Sequence, residues 1–177
     1  MKIRAANPED ASAIAHIHVS SWQATYPGMV AQSYLDSLDE GEFTERWRDW
    51  LVNHTSVTVC VAEADGLVFG FASGGAIRKP VSHYDGELYA LYLLPGMQRK
   101  GAGRKLVETI AGEMLRQGRS HLLVWVLRQN PATSFYERIG ARFVAEDTVE
   151  IAGSVLAEVA YGWSASVPGP RDPASRV

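Results

Sequence analysis

The run "GELYALYLLPGMQRKGAGRKLVETIAGEMLRQG", residues 86–118, constrains the fold of this chain more than any other stretch. Its first part is almost continuously apolar, the pattern of a central strand covered on both faces, and Pro95 ends it. From Ala102 onward Leu106, Val107, Ile110, Ala111, Met114 and Leu115 recur at helical spacing until Gly118 supplies a stop. Between strand and helix lies "QRKGAG", two cations followed by two glycines that flank an alanine. A doubly covered strand that feeds an amphipathic helix requires an α/β layer architecture.

The remaining pattern fits that frame. "IRAANPED" predicts a short strand and then a helix with Asn7 as N-cap and Pro8 in the first turn, running to about residue 21 with Ala11, Ile14, Ala15 and His18 in one stripe. Phe43, Trp47, Trp50 and Leu51 mark the buried face of a second helical region. Val57, Val59 and Val61 alternate with Thr58 and Cys60, and Asp65-Gly66 turns this strand into an antiparallel partner, "LVFGFASGGAI". "HLLVWVL" is another buried strand, Asn130-Pro131 opens a short helix that Gly140 ends, and two strands follow over residues 142–149 and 155–163.

A chain of 177 residues with 46% hydrophobic and 21% charged residues fits one packed domain, assigned to residues 1–163. The tail "SASVPGPRDPASRV", residues 164–177, has no apolar periodicity and is expected to be disordered. A net charge of -3 argues against sequence-independent nucleic-acid binding, which needs a basic surface. The single cysteine, Cys60, excludes an intrachain disulfide and points to a reducing, cytoplasmic compartment. Neither a signal-peptide core nor a run of ~20 apolar residues is present, so secretion and membrane insertion are not expected.

A strand, a glycine turn and a helix start direct unpaired backbone N–H groups and the positive end of the helix dipole at one spot, so the expected ligand is a phosphate. Two common phosphate loops are excluded by their missing parts. Ala102 and Gly103 stand where a Walker loop needs Lys and Ser/Thr, and Leu106 stands where a dinucleotide fingerprint needs a small residue.

"ELYALYLLPGMQRKGAGRKLVETI" resembles motif A of the GNAT superfamily, the Gcn5-related N-acetyltransferases, with Gln98, Gly101 and Gly103 filling its Q/R-x-x-G-x-G/A signature. "NPATSFYERIGARFV" is similar to motif B, and "SSWQATYPGMV" to the first helix-loop-helix of many bacterial members, so the resemblance spans residues 3–163. It implies a mixed, mostly antiparallel central sheet with helices on both faces, and acetyl-CoA as cosubstrate with no metal. The turn, Gln98, Arg99, Lys100, Gly101, Ala102, Gly103 and Arg104, would hold the pyrophosphate. The pantetheine arm would run beside Leu91, Tyr92 and Leu93 where their strand splays from "HLLVWVL", with the Leu93 N–H donating to the thioester carbonyl.

By the same resemblance Tyr136 lies near the sulfur, and a phenol with a reference pKa of ~10 is suited to protonate a departing thiolate. Asn130 stands six positions before Tyr136, where relatives carry an Asn seven before, so a cofactor contact and a plain N-cap both stay open. Glu87, at the start of the central strand and by alternation on the face of Tyr89, Leu91 and Leu93, is the candidate base, although exposed strand-end acids are usually just solvated. Trp22, Tyr26 and Trp125 are candidates to line the acceptor pocket, core packing being the alternative for each. His16 and His18 are two apart on a helix and His54, His83 and His121 are scattered, so no metal site is expected. The acceptor is expected to be a primary amine of a small molecule. A protein N-terminus or lysine, or an acyl-CoA sensor without turnover, are the alternatives, and relatives that pair through their late strands make a homodimer an expectation.

Overall fold

In a computed structural model that describes residues 1–165, the elements follow in the order β1 (Lys2–Ala5), α1 (Ala11–Thr25), α2 (Gln32–Asp36), α3 (Glu40–Asn53), β2 (Thr58–Ala64), β3 (Leu67–Ala76), β4 (Gly86–Leu93), α4 (Ala102–Arg116), β5 (His121–Leu127), α5 (Thr133–Arg138), β6 (Arg142–Ile151) and β7 (Ser154–Ser164). The strands form one sheet in the order β1-β2-β3-β4-β5-β7-β6. Every neighbouring pair is antiparallel except β4–β5, the pair bridged by α4.

Both faces are covered. The apolar stripe of α4, with Leu106, Val107, Ile110 and Met114, packs with Cys60, Ala72, Leu88 and Leu122 of the sheet, and Tyr136 and Ile139 at α5 extend that cluster. On the opposite face Ile14 and Ile17 of α1 and Trp47 of α3 pack on Val61 and Phe71. Cys60 is a core residue, 1% exposed, and burial pushes its thiol up to about 12. No helix of the described residues is long and apolar enough to cross a membrane.

The start of α1 follows the capping chemistry. Asn7 Oδ1 accepts from the Glu9 amide (3.0 Å), and Asp10 accepts from the Asn7 amide (2.8 Å) while pairing with Arg4, so a short 3-10 turn leads into the helix. The helix runs to Thr25 rather than stopping near residue 21, and the Tyr26 amide still donates to the Trp22 carbonyl (3.0 Å) before Pro27 interrupts. This extra turn carries Trp22 and Tyr26 over the middle of the sheet. The domain boundary also shifts: Ser164 completes β7, and the amide of Ala165 donates to the Ser120 carbonyl (2.8 Å). The rest of the tail expected to be disordered, residues 166–177, lies outside the described residues.

One irregularity in β4 matters for the site. Ser73 pairs with Ala90 but the next residue, Gly74, pairs with Leu88, so Tyr89 is an extra residue in the strand. Such a bulge resets the alternation of side chains. Leu88, Leu91 and Leu93 face α4, whereas Ala90 and Tyr92 pack on the α1–α3 side.

Candidate functional site

The parallel ladder between β4 and β5 has only three registers, Gly86–Leu122, Glu87–Leu123 and Leu88–Val124. Beyond them the strands diverge. The Leu94 amide donates to the Phe69 carbonyl (3.0 Å), so ladder alternation turns the N–H groups of Leu91 and Leu93 away from β3 and into the opening. A cleft of about 150 Å³ fills this gap, and it is lined by Leu91, Tyr92, Trp125, Asn130 and Tyr136, with Trp22 and Tyr26 arriving from the end of α1. These seven residues come from five separate segments of the sequence, and the fold brings them to one place.

The glycine turn opens beside this gap. Gly101 is the N-cap of α4 with φ of 83°, a left-handed conformation that disfavours any side chain, and no side chain caps the helix. The first amides of α4, at Ala102 and Gly103, are therefore left to an outside partner. Gly103 needs no unusual φ, and a Cβ there would meet Leu93 at 3.4 Å and Phe135 at 3.6 Å, ordinary contacts. Nothing among the described residues demands glycine at this position, whereas an anion lying across the amides would. Gln98 donates to the Leu93 carbonyl (3.2 Å) and so ties the turn to β4. Lys100 reaches the Gly96 carbonyl (3.1 Å) and Arg104 pairs with Glu108 (2.7 Å), while Arg99 is exposed with φ of 59°.

Tyr136 is 5% exposed and lies roughly parallel to Trp163, at 6.4 Å between ring centroids. Burial, then the neighbouring Tyr26 phenol, raise its pKa well above the ordinary tyrosine value, so it holds its proton. Its hydroxyl has no hydrogen-bond partner among the described residues. Polar groups run alongside: Trp22 Nε1 donates to the Tyr92 hydroxyl (3.0 Å), and Asn130 Nδ2 donates to the Tyr26 hydroxyl (3.2 Å). Asn130 Oδ1 accepts from the Ala132 amide (2.9 Å), so its side chain fastens the turn before α5 to Tyr26.

The two acidic residues near the gap differ sharply. Glu87 is 1% exposed rather than a solvated strand end, and the Tyr89 bulge places it on the face of Tyr89 and away from Leu91 and Leu93. Its carboxylate accepts from the backbone amide of Arg78 (3.0 Å) and from Nε (3.0 Å) and Nη2 of the same residue. Glu158, which the sequence pattern did not single out, lines the cleft from β7 opposite Leu127. It makes no hydrogen bond or ion pair among the described residues. Burial, then the Asp147 carboxylate, raise its pKa above the usual glutamate value, against the opposing pull of Arg78 and Lys79. No sequence signal marks Glu158, because only the β5–β7 pairing brings it to the gap.

Among the described residues no cluster of His, Cys, Asp and Glu could hold a metal ion.

Comparison with known proteins agrees with this geometry. The family described as FR47-like protein matches residues 66–149. The chain is 46% identical over 162 residues to the uncharacterized N-acetyltransferase YuaI of Bacillus subtilis, with 91% of each chain covered. It is 28% identical over 153 residues to the spermidine N(1)-acetyltransferase of Thermoplasma acidophilum, covering 84% of this chain and 91% of that protein. The solved PaiA N-acetyltransferase of Thermoplasma acidophilum, in complex with coenzyme A, shares the fold with a TM-score of 0.67 at 23% identity, over 89% of this chain and 96% of that one. The chain belongs to the GNAT superfamily and is an N-acetyltransferase.

Proposed function

We propose that this protein transfers the acetyl group of acetyl-CoA directly to a primary amine of a small molecule, with both substrates bound in the β4–β5 gap. The observation that carries this is Tyr136, a buried phenol without a hydrogen-bond partner, facing a gap into which the β4 amides point. The uncapped start of α4 beside the gap fits a diphosphate, and the absence of a side chain at Gly103, which no contact within the described residues requires, fits its close approach. The names of the relatives, one a spermidine acetyltransferase and one solved with coenzyme A, support a small amine acceptor and a coenzyme A donor.

Acetyl-CoA supplies the acetyl group as a thioester. The amides of Ala102 and Gly103 hold the diphosphate, with Arg99, Lys100 and Arg104 adding positive charge around it. The Leu93 N–H donates to the thioester carbonyl oxygen, where negative charge develops during attack. Glu158, rather than the Arg78-bound Glu87, takes one proton from the substrate ammonium and leaves a neutral amine. The amine nitrogen forms the new C–N bond, and as the C–S bond breaks Tyr136 gives its proton to the sulfur. The second proton on nitrogen then restores Tyr136, and Glu158 returns its proton to solvent, so one proton is released per turnover.

Thiol-release kinetics over a pH series test these roles. Tyr136→Phe is expected to lower kcat by about 10²-fold or more while coenzyme A affinity stays unchanged, and Glu158→Gln to lower kcat/KM by a similar factor and remove the rise of rate with pH. Glu87→Gln is expected to keep that rise. Loss of the pH-dependent rise in Glu87→Gln instead would return the base to Glu87, and full turnover in Tyr136→Phe would remove the acid.

A further inference from the structure

A second cavity, of about 370 Å³, adjoins the reaction gap on the α1–α3 side and shares Tyr89 and Ala90 with it. Its volume lies within the ~300–1,000 Å³ of small-molecule sites. Its walls are rings from Phe43, Trp47, Trp50 and Tyr89. Its polar lining among the described residues comes from His18, Arg46, Ser73, Arg78 and Tyr89, whose hydroxyl donates to the Ala76 carbonyl. Ser73 is fully buried and its hydroxyl has no hydrogen-bond partner among the described residues, an arrangement that is costly unless a bound group supplies one. His18 Nδ1 accepts from Trp47 Nε1 (3.3 Å), which assigns the ring proton to Nε2.

Two guanidinium groups complete the lining. Arg46 lies 5.0 Å over the Phe43 ring with no carboxylate partner among the described residues. Arg78 commits Nε and Nη2 to Glu87 and lies 4.7 Å over the Tyr89 ring, which leaves Nη1 available. Among the described residues no carboxylate lines this cavity. A chamber with an apolar ring wall, a neutral histidine, a buried hydroxyl and two cations complements an anion attached to an apolar group, and it repels a polycation.

We infer that the acceptor is an amino carboxylate of the hydrophobic α-amino acid class, its carboxylate held by Arg46, Arg78 and Ser73 and its side chain among the rings, while its amine enters the β4–β5 gap. This rests on the acetyl-transfer function proposed above. It sets the protein apart from the spermidine-named relative, whose named substrate is a polyamine.

Three probes separate the possibilities: L-phenylalanine, L-phenylalaninamide, which keeps ring and amine but lacks the carboxylate, and spermidine. In thiol-release assays kcat/KM for phenylalanine is expected to exceed that for the amide by about tenfold or more, although the amide is the more readily deprotonated amine, and Arg46→Gln is expected to erase most of that preference. Arg46 is exposed, so the variant should fold. Calorimetric titration of phenylalanine into wild type and Arg46→Gln reads the cavity without turnover, with saturable binding expected in the first and binding about tenfold weaker in the second. Preference for the amide or spermidine with vigorous thiol release would overturn the acceptor class and leave acetyl transfer standing. Absence of thiol release with saturable phenylalanine binding would keep the anion pocket and remove the transferase function proposed above. No saturable binding of phenylalanine, or equal binding by the variant, would overturn the inference.

Discussion

His18 shows how a single residue takes its state from its neighbours. It stacks on Tyr92 at 5.1 Å between centroids and meets Phe43 edge-on at 4.8 Å. Burial first, and the nearby Arg46 second, lower its pKa from 6.5 to about 4. Because the folded pKa is depressed, the unfolded chain binds a proton between these values that the folded chain refuses. The stability contributed by a neutral His18 is thus complete above pH 6.5 and declines as pH falls toward about 4. At 1.36 kcal/mol per unit the loss is about 3 kcal/mol. Urea unfolding across that window should show wild type losing stability more steeply than His18→Phe, and parallel curves would contradict a neutral, buried His18.

At the scale of elements, β4 decides what the site can be. Its N-terminal end is fastened to β5 by Asp85, whose carboxylate accepts from the amides of Ser120 (3.0 Å) and His121 (2.8 Å). Its C-terminal end is free to diverge, and the Tyr89 bulge lies between the two. Loss of two charge-assisted bonds in Asp85→Ala should cost about 2–3 kcal/mol in denaturant unfolding. A change within the ordinary surface range of about ±0.5 kcal/mol would show that the strands do not depend on this fastening. The bulge also explains why Glu87 reads differently in sequence and in space. Strict alternation places it with Leu91 and Leu93, and nothing in "GELYALYLL" announces an extra residue, because a bulge is fixed by the register of the partner strand.

For the whole molecule, the seven-stranded sheet separates two working faces, and the gap between β4 and β5 joins them. Tyr136 and α4 lie on one face, while the end of α1, α3 and Glu158 serve the other. Most of the first face was legible in the sequence, because a glycine turn, a helix stripe and the Asn130 to Tyr136 segment are local patterns. The acceptor face was legible only in part. Trp22, Tyr26 and Trp125 could be named as aromatic candidates, but Glu158, Ser73 and Arg46 acquire meaning only through long-range pairing and packing. The short α2 carries too little periodicity to announce itself.

The site at the start of α4 depends on main-chain amides that carry no side chain at Gly103, and calorimetric titration of coenzyme A into wild type and Gly103→Ala tests this most directly. Alanine replaces glycine inside a helix at a position with ordinary contacts, so the variant should be as stable as wild type or more stable, by about 0.5–1 kcal/mol. Saturable one-to-one binding by wild type is expected, with affinity in Gly103→Ala weaker by about tenfold or more, equivalent to roughly 1.4 kcal/mol. Equal affinity in the two proteins, or no saturable heat in wild type, would contradict a diphosphate held at this turn.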